Sequence, residues 1–340
     1  MFFILLVVFC LFPLNVSALA FSAKSAIVMD MDSGRILYSK NKDEKRLIAS
    51  ITKIMTATVA LEKGNLNKSF EAGEEILEMY GTSIYLEYKE KMKLEDLLYG
   101  LILRSGNDAA VVIANNISKN EKEFVKLMNE KAKEIGMENT TFSNSHGLDE
   151  KTKNYSTAYD MAKLSSYTYK KFSEYRKISK TKEYEVQTEN KSYLWYNRNK
   201  LLSTYKYCTG GKNGYTPSAG RTLVTTAEKG GLRLTTVTLS DPDEYQTHEE
   251  LYEYIYGKYK RYKIVDKDHL SIDKSFFPDD IYIKKSFSYP LTEEEKENIK
   301  TTLKITKSKG YRNHSQIGTI EVSLKDKVIK SIPLYVKLKK

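Results

Sequence analysis

Leu47-Ile48-Ala49-Ser50-Ile51-Thr52-Lys53-Ile54-Met55-Thr56-Ala57-Thr58-Val59-Ala60-Leu61 is the stretch from which the rest of this 340-residue chain can be read. Apolar residues precede the serine and run on after the lysine, which predicts a buried helix over 50–63 whose first turn carries both. Residues three apart on a helix share a face, so Ser50 and Lys53 lie within reach of each other. A serine hydroxyl is a weak nucleophile at neutral pH and needs a neighbour to take its proton. A lysine does this when neutral, and burial or a second cation lowers its pKa toward that state. Ser39, Ser179, Ser203 and Ser271 also begin a Ser-x-x-Lys. They sit among charges and tyrosines with no apolar run, as expected of solvated faces.

Two further polar motifs lie in apolar surroundings. Ser105-Gly106-Asn107 falls between Leu94–Leu103 and Ala109–Ala114, both helical in pattern. A polar turn pinned between buried helices must satisfy its groups in a cleft or by capping. Ser105 is therefore either a proton relay, with Asn107 holding a substrate amide, or simply the cap of the following helix. Lys212-Asn213-Gly214 sits in Thr209–Thr216, ahead of the β-branched runs Arg221–Ala227 and Leu232–Leu239. These runs predict adjacent antiparallel strands, in which Gly214 lets another backbone approach closely and a substrate peptide lie along the edge. An ordinary glycine-rich turn with a surface lysine is the alternative. Lys212 is also the second cation that would depress Lys53.

Ser50-x-x-Lys53, Ser105-Gly106-Asn107 and Lys212-Asn213-Gly214 stand in the order of the three motifs of penicillin-binding proteins and class A β-lactamases. The chain most resembles the D-alanyl-D-alanine carboxypeptidases among the low-molecular-mass penicillin-binding proteins. Ala26–Asp30, Ser33-Gly34, Leu37-Tyr38, Asn144–Leu148, Tyr155–Ala158, Asp160 and Gly214–Leu223 extend the likeness over roughly residues 24–262. The resemblance implies an α/β fold of the β-lactamase/transpeptidase type, an antiparallel sheet flanked by helices. It implies a serine peptidase that removes the terminal D-alanine from peptidoglycan stem peptides and is acylated by β-lactam antibiotics at Ser50. Lys53 would be the base and Ser105 the relay, and Asn107 would orient the peptide. Lys212, Asn213 and Thr216 would receive its carboxylate, while backbone N–H groups of Ser50 and Tyr215 form the oxyanion hole. No metal or organic cofactor is implied, and the four histidines have no ligand spacing. One residue departs from the family: Asn213 stands where a threonine or serine is usual, keeping a donor through its amide. A β-lactamase would need a deacylating carboxylate, for which Glu150 is the loop candidate, and a penicillin-acylated sensor would turn over poorly.

Composition fits an enzyme outside the cytoplasm. Residues 2–14 are nearly all apolar and Ala18-Leu19-Ala20 suits signal peptidase, predicting a signal peptide over 1–20. A retained anchor is disfavoured by the short run, broken at Pro13 and Asn15. Cys10 lies in the leader, which leaves Cys208 without a disulfide partner. The formal net charge of +11 suits anionic cell-wall polymers or a membrane surface, and secretion with scattered lysines argues against nucleic acid. Helices are expected at 50–63, 94–104, 107–117, 121–135, 157–171 and 245–259, with strands in 25–39 and 209–240. After residue 262 the pattern changes to short alternating runs, predicting a DD-peptidase domain over 21–262 and a small β-rich domain over 263–340. The ending Val336–Lys340 does not have the pattern of an amphipathic membrane-binding helix.

Overall fold

The computed structural model describes residues 21–270, 277, 279–306 and 309–338. The expected signal peptide, Cys10 included, lies outside them.

Strands β1 (Ser25–Asp30) and β2 (Ile36–Lys40) form a hairpin closed at Gly34, where φ of +74° calls for glycine. A 3₁₀ turn, Ala49–Thr52, leads directly into α1 (Lys53–Lys63), whose first eight residues are all buried. A helix buried on every side over its first two turns belongs at the centre of a domain. Around it lie α2 (Leu94–Tyr99), α3 (Asn107–Ile117), α4 (Glu121–Ile135), α5 (Ala158–Lys171) and α6 (Ser173–Lys180). The start of α4 is fixed by the Asn120 side chain accepting from Glu123 N, and its end by left-handed Gly136. Its charge-alternating face is the exposed one, as expected. Next come a hairpin, β3 (Glu183–Gln187) with β4 (Ser192–Tyr196), then β5 (Cys208–Thr216), β6 (Gly220–Lys229) and β7 (Leu232–Leu239), and then α7 (Glu244–Lys258).

The main sheet has the order β2-β1-β7-β6-β5 and is antiparallel throughout. Side chains alternate across a strand, and the sheet uses both faces. Ile27, Met29, Val224 and Val237 pack under the helices α1 to α6, while Val28, Leu223 and Leu234 pack under Leu251, Tyr252 and Ile255 of α7. The result is the helix-flanked antiparallel sheet that the family resemblance implied. It leaves β5 at an edge, against the turn that carries Ser50.

Beyond α7 the chain is β-rich. Strand β8 (Lys260–Val265) pairs with β10 (Phe287–Leu291), while β9 (Asp280–Tyr282), β11 (Ile299–Ile305), β12 (Gln316–Leu324) and β13 (Lys327–Lys337) form a sheet of order β9-β13-β12-β11. These strands enclose their own core, with Val265, Ile317, Val322, Leu334 and Val336 inside. Arg35, from the β1–β2 turn, reaches this unit. It donates to Pro290 O at 2.5 Å, pairs with Glu295 at 2.5 Å and stacks on the rings of Tyr259 and Tyr289.

Candidate active site

Ser50 projects from the 3₁₀ turn, a geometry that eclipses residues three apart and so sets Lys53 behind it. The Lys53 Nζ lies 3.1 Å from Ser50 Oγ, 2.8 Å from Asn107 Oδ1 and 2.6 Å from the carbonyl of His146. Burial pulls its pKa down to about 7; the Asp108 carboxylate opposes that shift and Arg198 adds to it. The turn is tightly held. Ala49 adopts φ of +48°, and Gly147, at φ of +94°, lies so close that a Cβ there would meet Ala49 O at 2.1 Å.

The sequence left Ser105 with two roles, and one is removed. The N-cap of α3 is Gly106, and the Ser105 side chain caps nothing. Ser105 instead closes a π-helical turn, Gly100–Arg104, in a left-handed conformation, φ 66° and ψ 34°. Its hydroxyl is buried, with the residue 4% exposed, and has no hydrogen-bond partner among the described residues. An unpaired buried hydroxyl costs about 1–3 kcal/mol, which a ligand that bonds to it would offset. Asn107 is fixed at both ends, accepting from Lys53 and donating through Nδ2 to Tyr80 O at 2.7 Å.

On β5 the burial pattern alternates. Lys212, Gly214 and Thr216 are buried, whereas Asn213 is half-buried and Tyr215 is 61% exposed. A Cβ at Gly214 would lie 2.8 Å from Ser50 N and 3.0 Å from Ile51 N, so only glycine lets the strand approach the helix start this closely. Helix starts are also where backbone N–H groups lack intrahelical acceptors. Lys212 donates to the carbonyl of Asn213 at 2.6 Å, and its pKa is lowered first by burial and then by Lys53 and Arg198. Burial leads for both lysines; the expected repulsion by its partner contributes to the lowering of Lys212, whereas on Lys53 the second cation that adds to burial is Arg198. Thr216, to which the resemblance gave a share of the carboxylate, has a partner within the protein. Its hydroxyl donates to Asp149 Oδ2 at 2.6 Å, and a hydroxyl has only one proton to give.

Several residues that hold this site carry no motif of their own. Asp108 accepts from Ile84 N, Leu86 N and Ala109 N at 2.9–3.1 Å and from Ser83 Oγ, pinning residues 83–86 to the start of α3. The 144–149 loop supplies the His146 carbonyl to Lys53, the Ser145 carbonyl to Thr56 Oγ1 at 2.5 Å and the Asp149 carboxylate to Thr216. The His146 ring accepts from Leu148 N, and burial pushes its pKa down to about 3, so it is neutral. Glu150 is exposed and lies near the Tyr80 hydroxyl.

The chain matches the D-alanyl-D-alanine carboxypeptidase family over residues 13–243 and the C-terminal domain of penicillin-binding protein 5 over residues 278–339. It is 37% identical over 264 residues to the D-alanyl-D-alanine carboxypeptidase DacF of Bacillus subtilis, covering 74% of this chain and 67% of that one. It is 30% identical over 345 residues to the D-alanyl-D-alanine carboxypeptidase DacC of Escherichia coli, covering 95% and 85%. Its fold is similar to that of penicillin-binding protein 5 from Haemophilus influenzae, with a TM-score of 0.78 at 26% identity over 96% of this chain and 99% of that one.

Proposed function

Because the chain belongs to the D-alanyl-D-alanine carboxypeptidase family, we propose that it is a serine peptidase that removes the terminal D-alanine from peptidoglycan stem peptides through an acyl-enzyme on Ser50. The contact between Lys53 and Ser50 carries this reading. Two fixed carbonyl oxygens, from Asn107 and His146, take two N–H groups of Lys53. In the neutral amine the remaining position is a lone pair directed at Ser50 Oγ, 3.1 Å away. A pKa near 7 makes that neutral form available at physiological pH.

Lys53 takes the Ser50 proton as Oγ bonds to the carbonyl carbon of the penultimate D-alanine. The oxyanion is received by the N–H groups of Ser50 and Tyr215, each such donor worth roughly 3–4 kcal/mol in the transition state. When the C–N bond breaks, the Lys53 ammonium gives up that proton through the Ser105 hydroxyl to the leaving amine, and D-alanine departs, leaving Lys53 neutral. Water then cleaves the ester, with Lys53 again the base. Asn107 and the Gly214 edge orient the peptide. Lys212 and Asn213 meet the terminal carboxylate, since the Thr216 proton is engaged by Asp149. β-Lactams, whose strained amide mimics the scissile bond, acylate the same serine. Residues 21–262 form the catalytic unit and 263–340 the β domain. The leader exports the enzyme to the outer face of the cytoplasmic membrane or the wall, where its basic surface favours anionic polymers.

The test is intact-mass analysis after incubation with a penicillin, wild type beside Ser50→Ala. A penicilloyl adduct present in the first and absent in the second is expected. No adduct on folded wild-type protein would refute the reading.

A further inference from the structure

A cleft of about 930 Å³ opens between the far end of the main sheet and the β domain. It is well separated from Ser50. Gly214 pairs with Thr222, Thr222 with Leu239 and Leu239 with Ser25, whereas the cleft begins at Asp32, just past the opposite end of β1. The length of β1 alone separates the two levels by about 17 Å. Five cations, Arg233, Arg261, Lys284, Lys285 and Lys330, line the cleft against one carboxylate, Asp32.

These cations divide into two sets. Asp32 pairs with both Arg233 and Arg261, and Arg261 also reaches Asp30 at 3.4 Å. With Arg35 on Pro290 and Glu295, these contacts tie the two walls together. The three lysines are exposed and form no ion pair with any described residue; the Lys284 ammonium rests 4.4 Å over the Tyr335 ring. Phe287, Tyr289 and Ile332 supply apolar surface beside them. The walls are thus fixed by guanidinium–carboxylate pairs, and the ammonium groups are left for a ligand.

We propose that this cleft is a docking site for a phosphodiester-linked polyol polymer, holding the enzyme on the wall while the catalytic cleft stays open. The volume is that of an extended ligand, larger than a single anion needs. Planar carboxylates are matched best by guanidinium forks, and both forks here are already engaged by Asp32. Free ammonium groups act as point charges toward phosphate, and the apolar lining suits the polyol carbons between charges. The proposal rests on the reading that the enzyme works on peptidoglycan, but its test is separable from activity.

The test measures fluorescence anisotropy of a labelled poly(glycerol phosphate) chain with the mature protein, the triple variant Lys284→Glu/Lys285→Glu/Lys330→Glu, and a control triple, Lys119→Glu/Lys122→Glu/Lys133→Glu, on exposed lysines of the helical domain. The cleft triple is expected to lose affinity by about tenfold or more and to show a flatter salt dependence, while the control changes by less than about twofold. Both variants should release D-alanine from a small peptide at the wild-type rate, which shows that they fold. Equal losses in the two triples would reduce the effect to net charge and overturn the site. So would an unaffected cleft triple. A poly(glutamate) chain that competes as strongly as the phosphate polymer would overturn the ligand class.

Discussion

The acid limb of acylation should belong to Lys53, and its position and steepness can be worked out in advance. With a folded pKa of about 7, about a tenth of Lys53 is neutral at pH 6 and about nine-tenths at pH 8. If the neutral amine is the base, the rate constant for acylation by a fluorescent penicillin rises about tenfold between those values and flattens above pH 8. A lysine with an ordinary pKa of about 10.4 would give about a hundredfold rise over the same interval and keep climbing. The assay is stopped-flow acylation with penicillin in excess and subsaturating, in buffers of constant ionic strength. His146 is the natural confounder, but burial holds its pKa near 3, and it is the backbone carbonyl that touches Lys53. His146→Asn should therefore leave the midpoint near 7. A rate that keeps rising tenfold per unit past pH 8, or a limb that disappears in His146→Asn, would refute the assignment.

Gly214→Ala places a methyl group 2.8 Å from Ser50 N, and backbone cannot yield as a flexible side chain would. Acylation should fall by about a hundredfold or more in the same stopped-flow assay, since displacing reacting groups by an ångström costs about that much. Arg35→Ala removes hydrogen bonds to Pro290 and Glu295 across the junction with the β domain, each worth about 1.5–3 kcal/mol. Urea unfolding should show the loss and limited proteolysis faster cutting near Lys263 and Lys267, with D-alanine release unchanged. Asn213→Thr restores the family's hydroxyl and should lower KM for a D-alanyl-D-alanine peptide by about threefold or more, measured in steady state.

Periodicity located the helices because their apolar faces are strong. Asn107–Ile117 and Glu121–Ile135 fall where the pattern put them, and the charge alternation of the second correctly marks its wet face. The β-branched runs likewise gave the two strands after Gly214. The hairpin Glu183–Gln187 with Ser192–Tyr196 was missed. Its alternation of charge and aromatic residues is masked in a lysine- and tyrosine-rich chain, although Tyr184 stacks on Tyr99 at 3.6 Å and lies 6.2 Å from Trp195. The sequence named Ser50, Lys53 and Asn107, which hydrogen bonds link in the structure, but not what holds them there. The His146 contact is made by a carbonyl, a group every residue carries. Asp108 and Asp149 act through loops whose paths depend on the whole fold. The left-handed Ser105 and Ala49 are likewise products of packing, since neither residue type favours φ above zero. The separation of roles within β5, with Thr216 drawn to Asp149, needed the position of a loop more than sixty residues away in sequence.

The central claim is that Ser50, activated by Lys53, hydrolyses the terminal D-alanyl bond of a stem peptide. The most direct measurement is steady-state release of D-alanine from diacetyl-lysyl-D-alanyl-D-alanine by the mature protein, beside Ser50→Ala. Continuous turnover that disappears in the variant is the predicted result. A wild-type protein that is acylated by penicillin yet releases no D-alanine from the peptide would contradict the claim and identify a penicillin-reactive protein without this peptidase activity.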